Sequence, residues 1–294
     1  MSATSVTCIF SPYHVGLRDH RVGDGPNRIR DMGIVGELEK LGIKVHWHEL
    51  PRVDDAEGEI GRSFALLAHT SEAVSRAVAK NSFPLVLSGN CMASAGTACG
   101  LGIEHLGFVY FDAHDDQETP SWNTNGYLDA MGMSMLNGRS WETIAKTIPG
   151  FRPFEYSKFV YCGLREVCDE SKQRVSECGA DVIWGDADTK VDFAAELLDR
   201  LRARDYSPAL VHLDLDVLDE SVGKVNGYES AGGLHEDDLM KCMELVPLNA
   251  TPKSLTVCSF NPNLGDGDKV ATIGVRAVVR FMTSLLESGA LKNE

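Results

Sequence analysis

The sequence has no Cys-x-x-Cys pair, no apolar run approaching the roughly 18 residues a membrane span requires, and no Pro/Gly/Ser-rich, repetitive or low-complexity stretch. Each absence excludes something. Without paired spacing, the eight cysteines (Cys8, Cys91, Cys99, Cys162, Cys168, Cys178, Cys242 and Cys258) read mostly as reduced core residues rather than disulfides. Met1–Phe10 lacks a basic segment followed by a long apolar core, so a cytoplasmic protein is expected. With no linker, residues 1–294 are expected to form a single domain, and 43% hydrophobic content suffices for a large core. Basic residues are scarce as well: 28 Lys and Arg against 43 Asp and Glu give a net charge of −15. No long basic block offsets it, which disfavours nucleic acid or an anionic membrane as partner and would attract a cationic substrate.

What is present is two runs of metal-ligand residue types. Phe108-Val-Tyr-Phe-Asp-Ala-His-Asp-Asp116 places Asp112, His114 and Asp116 at every second position as an apolar run ends. Ala209-Leu-Val-His-Leu-Asp-Leu-Asp-Val-Leu-Asp219 does the same with His212, Asp214 and Asp216. Alternate side chains of an extended segment share a face, so each run is expected to aim its polar groups into one pocket at a strand's C-terminal end. A single Asp-x-Asp is commonly a solvated turn or strand-end cap, and a lone His in an apolar strand usually packs. Two such runs are different, because neighbouring buried carboxylates repel and are costly to desolvate unless a cation or a proton neutralises them. Carboxylates with one imidazole suit Mn, Fe, Zn or Mg. Five such groups exceed what one ion needs, so two ions sharing bridging carboxylates are expected.

Strand candidates near 5–10, 43–49, 84–88, 107–112, 158–163, 181–185, 208–216 and 254–260 alternate with helical patterns. These lie near 26–41, 57–80, 92–101, 129–147, 167–178, 192–203, 235–245 and 268–287. The alternation implies parallel strands with helices on both faces and a ligand site beyond the strands' carboxyl ends.

Asp112-Ala-His-Asp-Asp116 resembles the Asp-Ala-His-x-Asp motif of the arginase/agmatinase ureohydrolase superfamily, and Asp214-Leu-Asp-Val-Leu-Asp219 resembles its Asp-x-Asp-x-x-Asp motif. Supporting matches follow the family's order: Gly23-Asp-Gly-Pro26, Ile29-Arg30, Leu87-Ser-Gly-Asn-Cys-Met-Ala-Ser-Ala-Gly96, Cys162-Gly-Leu-Arg165, Gly232-Gly-Leu234 and Phe260-Asn-Pro262. The resemblance implies an α/β chain with the three-layer α/β/α arginase-like (ureohydrolase) fold and an eight-stranded parallel sheet. It implies a metal-dependent amidinohydrolase acting on linear amidines, with two divalent ions, manganese first and zinc or iron admitted by a cysteine ligand. A small guanidino substrate and a homo-oligomer are implied too. On this resemblance Asp112 and Asp214 would bridge the ions. His114 and Asp216 would complete one site, Cys91 and Asp116 the other, and Asp116 would also orient the attacking hydroxide.

Departures from the family pattern carry equal weight. Where the family has Gly-Gly-Asp-His, ending on its first metal histidine, this chain reads Ser88-Gly-Asn-Cys91. A thiolate at Cys91 would tilt preference toward Zn or Fe, whereas a neutral buried thiol would leave that ion with fewer ligands. Asn90 removes a charge beside it, and His212 stands where the family has a small hydroxyl residue. That imidazole would donate to a ligand carboxylate, hold water or simply pack. Glu118, Asn125 and Tyr127 occupy the positions with which arginases hold the substrate's carboxylate, and Glu118 would repel it unless a cation intervened. Asp129 replaces a proton-relaying histidine, a role that needs a raised pKa. Ser259 replaces the glutamate that pairs with a guanidinium, a costly loss for an arginase. Glu229 is the candidate for the missing anion, weighed against an ordinary exposed acid, and Trp122, Tyr127 and Tyr228 are candidates for selectivity.

The departures point from plain L-arginine toward a modified arginine such as Nω-hydroxy-L-arginine. An N-hydroxyguanidine is less basic than guanidine and depends less on a countercharge. Arginine-, agmatine- and formimino-type compounds stay open. The expected catalytic pair is Asp116 and Asp129, the latter passing a proton to the departing amine. The same changes motivate two rivals, a catalytically impaired relative with a structural or regulatory role and a binding protein without turnover. Retention of five acidic or imidazole ligands counts against both.

Overall fold

The computed structural model describes residues 2–54 and 58–293. Eight strands build one all-parallel sheet: β1 (Ser5–Ser11), β2 (Val45–Glu49), β3 (Ser82–Ser88), β4 (Gly107–Phe111), β5 (Phe159–Leu164), β6 (Asp181–Trp184), β7 (Ala209–Asp214) and β8 (Pro252–Cys258). Their spatial order is β2-β1-β3-β8-β7-β4-β5-β6. The central strands are buried from end to end, which is why they read as near-continuous apolar runs.

Among the described residues, ten helices flank the sheet: α1 (Gly25–Asp31), α2 (Ile34–Lys40), α3 (Gly58–Ala79), α4 (Ala93–Leu101), α5 (Gly132–Leu136), α6 (Glu142–Ala145), α7 (Asp169–Cys178), α8 (Phe193–Ala203), α9 (Glu236–Asn249) and α10 (Gly267–Glu287). Alternation along the strands separates two cores. Val109, Phe111, Val211 and Leu213 pack on one face beneath α1, α2, α8, α9 and α10, whereas Phe108, Tyr110 and Leu210 pack on the other beneath α3 to α7. In α10, Val270, Ile273, Ala277, Phe281 and Leu285 recur at helical spacing on the buried side. The result is the three-layer architecture implied by the resemblance. No helix among the described residues is long and apolar enough to cross a membrane.

Three expected elements are interrupted. The helix expected over 26–41 breaks at Gly33, whose φ of +85° lies in the left-handed region, and divides into α1 and α2. The span 129–147 divides into a 3-10 turn (Leu128–Met131), α5 and α6, with Gly138 at φ +82° between the last two. The strand expected over 208–216 stops at Asp214, and Leu215–Val217 turns as a 3-10 helix. The expected helix 57–80 begins at Gly58, and residue 57 lies outside the described residues.

The order β3-β8-β7-β4 puts four neighbouring carboxyl ends side by side. Beyond them come Asn90 and Cys91, Cys258 and Ser259, Asp214 and Asp216, and Asp112 through Asp116.

Candidate metal centre

Two clusters of ligand-type atoms converge at these ends, and Asp112 has one oxygen toward each. Asp112 Oδ1 accepts the His114 backbone N–H at 2.7 Å and lies 3.4 Å from His114 Nδ1, which is 3.3 Å from Asp216 Oδ2. Asp112 Oδ2 is buried without a hydrogen-bond partner and lies 3.5 Å from His212 Nε2. His212 Nε2 is 3.7 Å from Cys258 Sγ, and that sulfur is 3.8 Å from Asp214 Oδ2. The atoms of Asp112, His114 and Asp216 fall within 4.8 Å of one another, as do those of His212, Asp214 and Cys258.

A turn, not continued strand alternation, delivers Asp216. Asp214 Oδ1 accepts the Asp216 N–H at 2.8 Å and caps the 3-10 turn. Arg165 fixes that turn by donating to the carbonyls of Asp216 (2.9 Å), Val217 (3.2 Å) and Leu218 (2.9 Å). Asn226 Nδ2 donates to Asp216 Oδ2 at 2.7 Å.

Cys91 and Asp116, expected to share an ion, belong to neither cluster. Asp116 adopts φ +52°, and its Oδ2 accepts the Tyr110 hydroxyl at 2.6 Å. The Cys91 thiol points toward the Asp129 carbonyl at 3.7 Å. Both nevertheless line the cavity above the clusters.

Electrostatics fit a cation. Burial, then the charges of Asp216 and Asp112, push the Asp214 carboxyl well above the usual range. Burial, then Asp112 and Asp129, do the same to Asp116. Burial opposes ionisation of Asp216 too, but the His114 imidazolium outweighs it and holds that carboxyl low. His114 is raised correspondingly, the Asp216 and Asp112 carboxylates overcoming its own burial. Burial and the Asp214 and Asp112 charges raise the Cys258 thiol. A concentration of carboxylates at odds with its own ionisation, with Asp112 Oδ2 buried and unpartnered, is what bound divalent ions would relieve. The donor set therefore suits them.

The cavity of about 320 Å³ is walled by His14, Tyr127, Tyr228, Asp129 and Ser259, with Arg21 at its rim. Glu118 and Asn125 also line it. The cation that Glu118 required is present: Arg174 Nη2 lies 3.4 Å from its carboxylate. Trp122 stands beneath the same guanidinium, 4.5 Å from its carbon, and not among the lining residues. Asp129 accepts from Asn90 Nδ2 at 2.6 Å and from the Met92 N–H at 2.9 Å. Burial raises its pKa, and these donors oppose the rise. Ser259 adopts φ +62° and bonds to Asp214, leaving no carboxylate at that place.

Glu229, the candidate for the missing anion, bonds within its own loop. Its side chain is buried, but Oε2 accepts from the backbone N–H of Gly227 at 2.8 Å and of Asn226 at 3.3 Å, and Oε1 meets Lys224 Nζ at 3.0 Å. The carboxylate pins its own loop and does not line the cavity.

Several contributors escaped sequence reasoning. Tyr110 had a signal, since it precedes Asp112 by two positions in an extended run. Cys258 had none beyond its place at a strand end, because its approach to His212 and Asp214 depends on the β7–β8 pairing. Arg174 reaches Glu118 from α7 and Ser94 reaches His212 from α4, both far away in sequence.

The chain thus combines a parallel eight-stranded sheet with paired carboxylates at adjacent strand ends. The Arginase family profile matches residues 11–284, and the chain belongs to that family. It is 28% identical to human Arginase-1 over 301 residues, covering 95% of this chain and 92% of the relative. It is 25% identical to the arginase of Bacillus caldovelox over 285 residues, covering 92% and 95%. The crystal structure of arginase from Bacillus cereus superposes with a TM-score of 0.84 at 21% identity, covering 95% of this chain and 98% of the other.

Proposed function

We propose that this arginase-family hydrolase cleaves the guanidino C–N bond of a modified arginine, of which Nω-hydroxy-L-arginine is the type, in preference to L-arginine. The observation that carries this reading is a hydroxyl, not a carboxylate, on the cavity wall at position 259, where the family pattern has the glutamate that pairs with a guanidinium. Ser259 occupies that place, and Glu229 is consumed by its own loop. A fully protonated guanidinium would forgo its fork partner there, whereas a less basic N-hydroxyguanidine forgoes less.

The other end suits an amino acid. Arg21 and Glu166 are exposed on the cavity wall, and neither forms an ion pair among the described residues. Together they offer a cation for an α-carboxylate and an anion for an α-ammonium. Glu118 does not oppose the carboxylate, because Arg174 neutralises it.

Two divalent ions held around Asp112, Asp214, His114 and Asp216 would supply Lewis-acid activation of water near neutral pH. Manganese is the ion to test first, with zinc or iron admitted by sulfur. Tyr110 fixes the Asp116 carboxylate, which would orient the attacking water. Asp129 is the group we assign to proton transfer to the leaving amine, its acidity set by burial against the Asn90 and Met92 donors. The test is kcat/KM for Nω-hydroxy-L-arginine and L-arginine on the metal-loaded protein. A preference of at least about tenfold for the hydroxylated substrate is expected, about 1.4 kcal/mol in the transition state. The reverse order overturns the reading.

A further inference from the structure

We propose that His212 and Cys258 are metal ligands of this chain, completing with Asp112 Oδ2 and Asp214 a sulfur-containing site beside the one around His114 and Asp216. The proposal rests on the metal-binding part of the function proposed above and does not depend on the substrate.

Geometry carries it. His212 Nε2 stands 3.5 Å from Asp112 Oδ2 and 3.7 Å from Cys258 Sγ, and Cys258 Sγ stands 3.8 Å from Asp214 Oδ2. The first of these exceeds the 2.7–3.2 Å of an N–H···O hydrogen bond. All three match the edges of a coordination polyhedron. With bonds of about 2.0–2.1 Å to nitrogen or oxygen and about 2.3 Å to sulfur, tetrahedral ligand atoms sit roughly 3.3–3.8 Å apart.

An independent observation is the unsatisfied Asp112 Oδ2. The residue is 1% exposed, and its other oxygen is already occupied by the His114 N–H. A buried carboxylate oxygen 3.5 Å from an imidazole nitrogen and without a hydrogen-bond partner is what a bound cation would satisfy.

His212 is also held as a ligand histidine is held. Its Nδ1 is 2.6 Å from Ser94 Oγ, and the Tyr110 ring stacks on it with centroids 3.9 Å apart and planes 11° apart. In the tautomer whose Nδ1–H donates to Ser94, Nε2 would present its lone pair to the cluster. A histidine serving only as packing would need neither this anchored ring nor the three ligand-type neighbours. Where the family pattern has histidine this chain has Cys91, and it carries a histidine at 212. The sulfur that reaches an ion is that of Cys258, and Cys91 is left as a cavity-wall thiol.

The test uses cobalt(II) as the probe on the full-length protein, with X-ray absorption at the metal edge. Wild-type protein is expected to show a thiolate-to-cobalt charge-transfer band and one sulfur scatterer at about 2.3 Å. Cys91→Ser is expected to keep both, and Cys258→Ser to lose both. His212→Gln is expected to weaken one of two cobalt ions by at least about tenfold. Loss of the sulfur signature in Cys91→Ser, or two cobalt ions bound with no sulfur signature in wild type, overturns this proposal and leaves the hydrolase reading standing. Absence of any bound cobalt overturns both. Both thiols are buried, so the fold of each variant is checked by far-UV circular dichroism, and the sulfur signature of the wild-type protein tests the proposal without any variant.

Discussion

The Asn90 side-chain amide donates to Asp129 Oδ2 at 2.6 Å, so two positions at which this chain departs from its family form a single contact. The other end of the same amide accepts the Val15 N–H at 2.6 Å. Only an uncharged group with both a donor and an acceptor can make these bonds beside a buried carboxylate.

Asn90→Asp would set two buried carboxylates against each other. A loss of about 3 kcal/mol in unfolding free energy near neutral pH is expected, as for an uncompensated buried charge. The double variant Asn90→Asp with Asp129→Asn is expected to recover most of it. Urea unfolding of wild type, the two single variants Asn90→Asp and Asp129→Asn, and the double variant measures this, and additive losses in the double variant would sink the idea that the two residues act as one unit.

Asp214→Asn should have opposite effects with and without metal. Its carboxyl is raised by burial and by Asp216 and Asp112, so in metal-free protein its ionised form opposes folding near neutral pH. The sign follows: a folded-state pKa above the unfolded value makes the charge a liability as pH rises. Asparagine can still accept the Asp216 N–H, and the chelated variant is expected to melt above chelated wild type. In the presence of metal the order reverses, because one ligand oxygen is gone, and turnover is expected to be lost. Melting curves with and without chelator decide it, and the same order in both would contradict a metal role for Asp214.

The carboxylates of the centre were readable because the residue types demand neutralisation wherever they are buried, whatever the backbone does. Asp112, His114, Asp214 and Asp216 therefore emerged correctly as a neighbourhood, although the reason offered for Asp216, continued strand alternation, was not the one the chain uses. A turn capped by Asp214 brings it to the same place. Cys258 was not readable, since only the pairing of β7 with β8 carries it to His212. The loop contacts of Glu229 were not readable either, because a Glu in a pocket-bordering loop carries no mark of whether it faces the cavity or the amides of its own turn. The helices were misread where one left-handed residue divides an otherwise continuous pattern, as at Gly33.

Glu229→Gln separates a loop anchor from a substrate anion. The variant loses charge-assisted bonds to the Asn226 and Gly227 amides, and about 1–3 kcal/mol of stability is expected to go with them. The Lys224 pair adds little, that lysine side chain being 59% exposed. KM for a guanidino substrate is expected to change by less than about threefold under conditions where the variant is folded. A much larger rise in KM without loss of stability would return Glu229 to the substrate pocket.

His14 supplies a pH dependence that is separate from the metal carboxylates. It lies on the cavity wall, 6% exposed, with Nδ1 lacking a hydrogen-bond partner. Burial, then the charges of Arg21 and His20, lower its pKa to about 4. An unfolded histidine titrates near 6.5. Between those values the unfolded chain binds a proton that the folded chain refuses, so stability falls as pH falls through this window and levels off below about pH 4. Between about pH 7 and about pH 5 the loss attributable to His14 is roughly 2 kcal/mol. His14→Gln removes the titration, and its unfolding free energy should decline by that much less over the same interval. Both proteins are compared in chelator so that release of ions at acid pH does not enter. Parallel pH profiles for wild type and variant would mean that His14 takes up its proton in the folded state, against the burial and the neighbouring charges that face it.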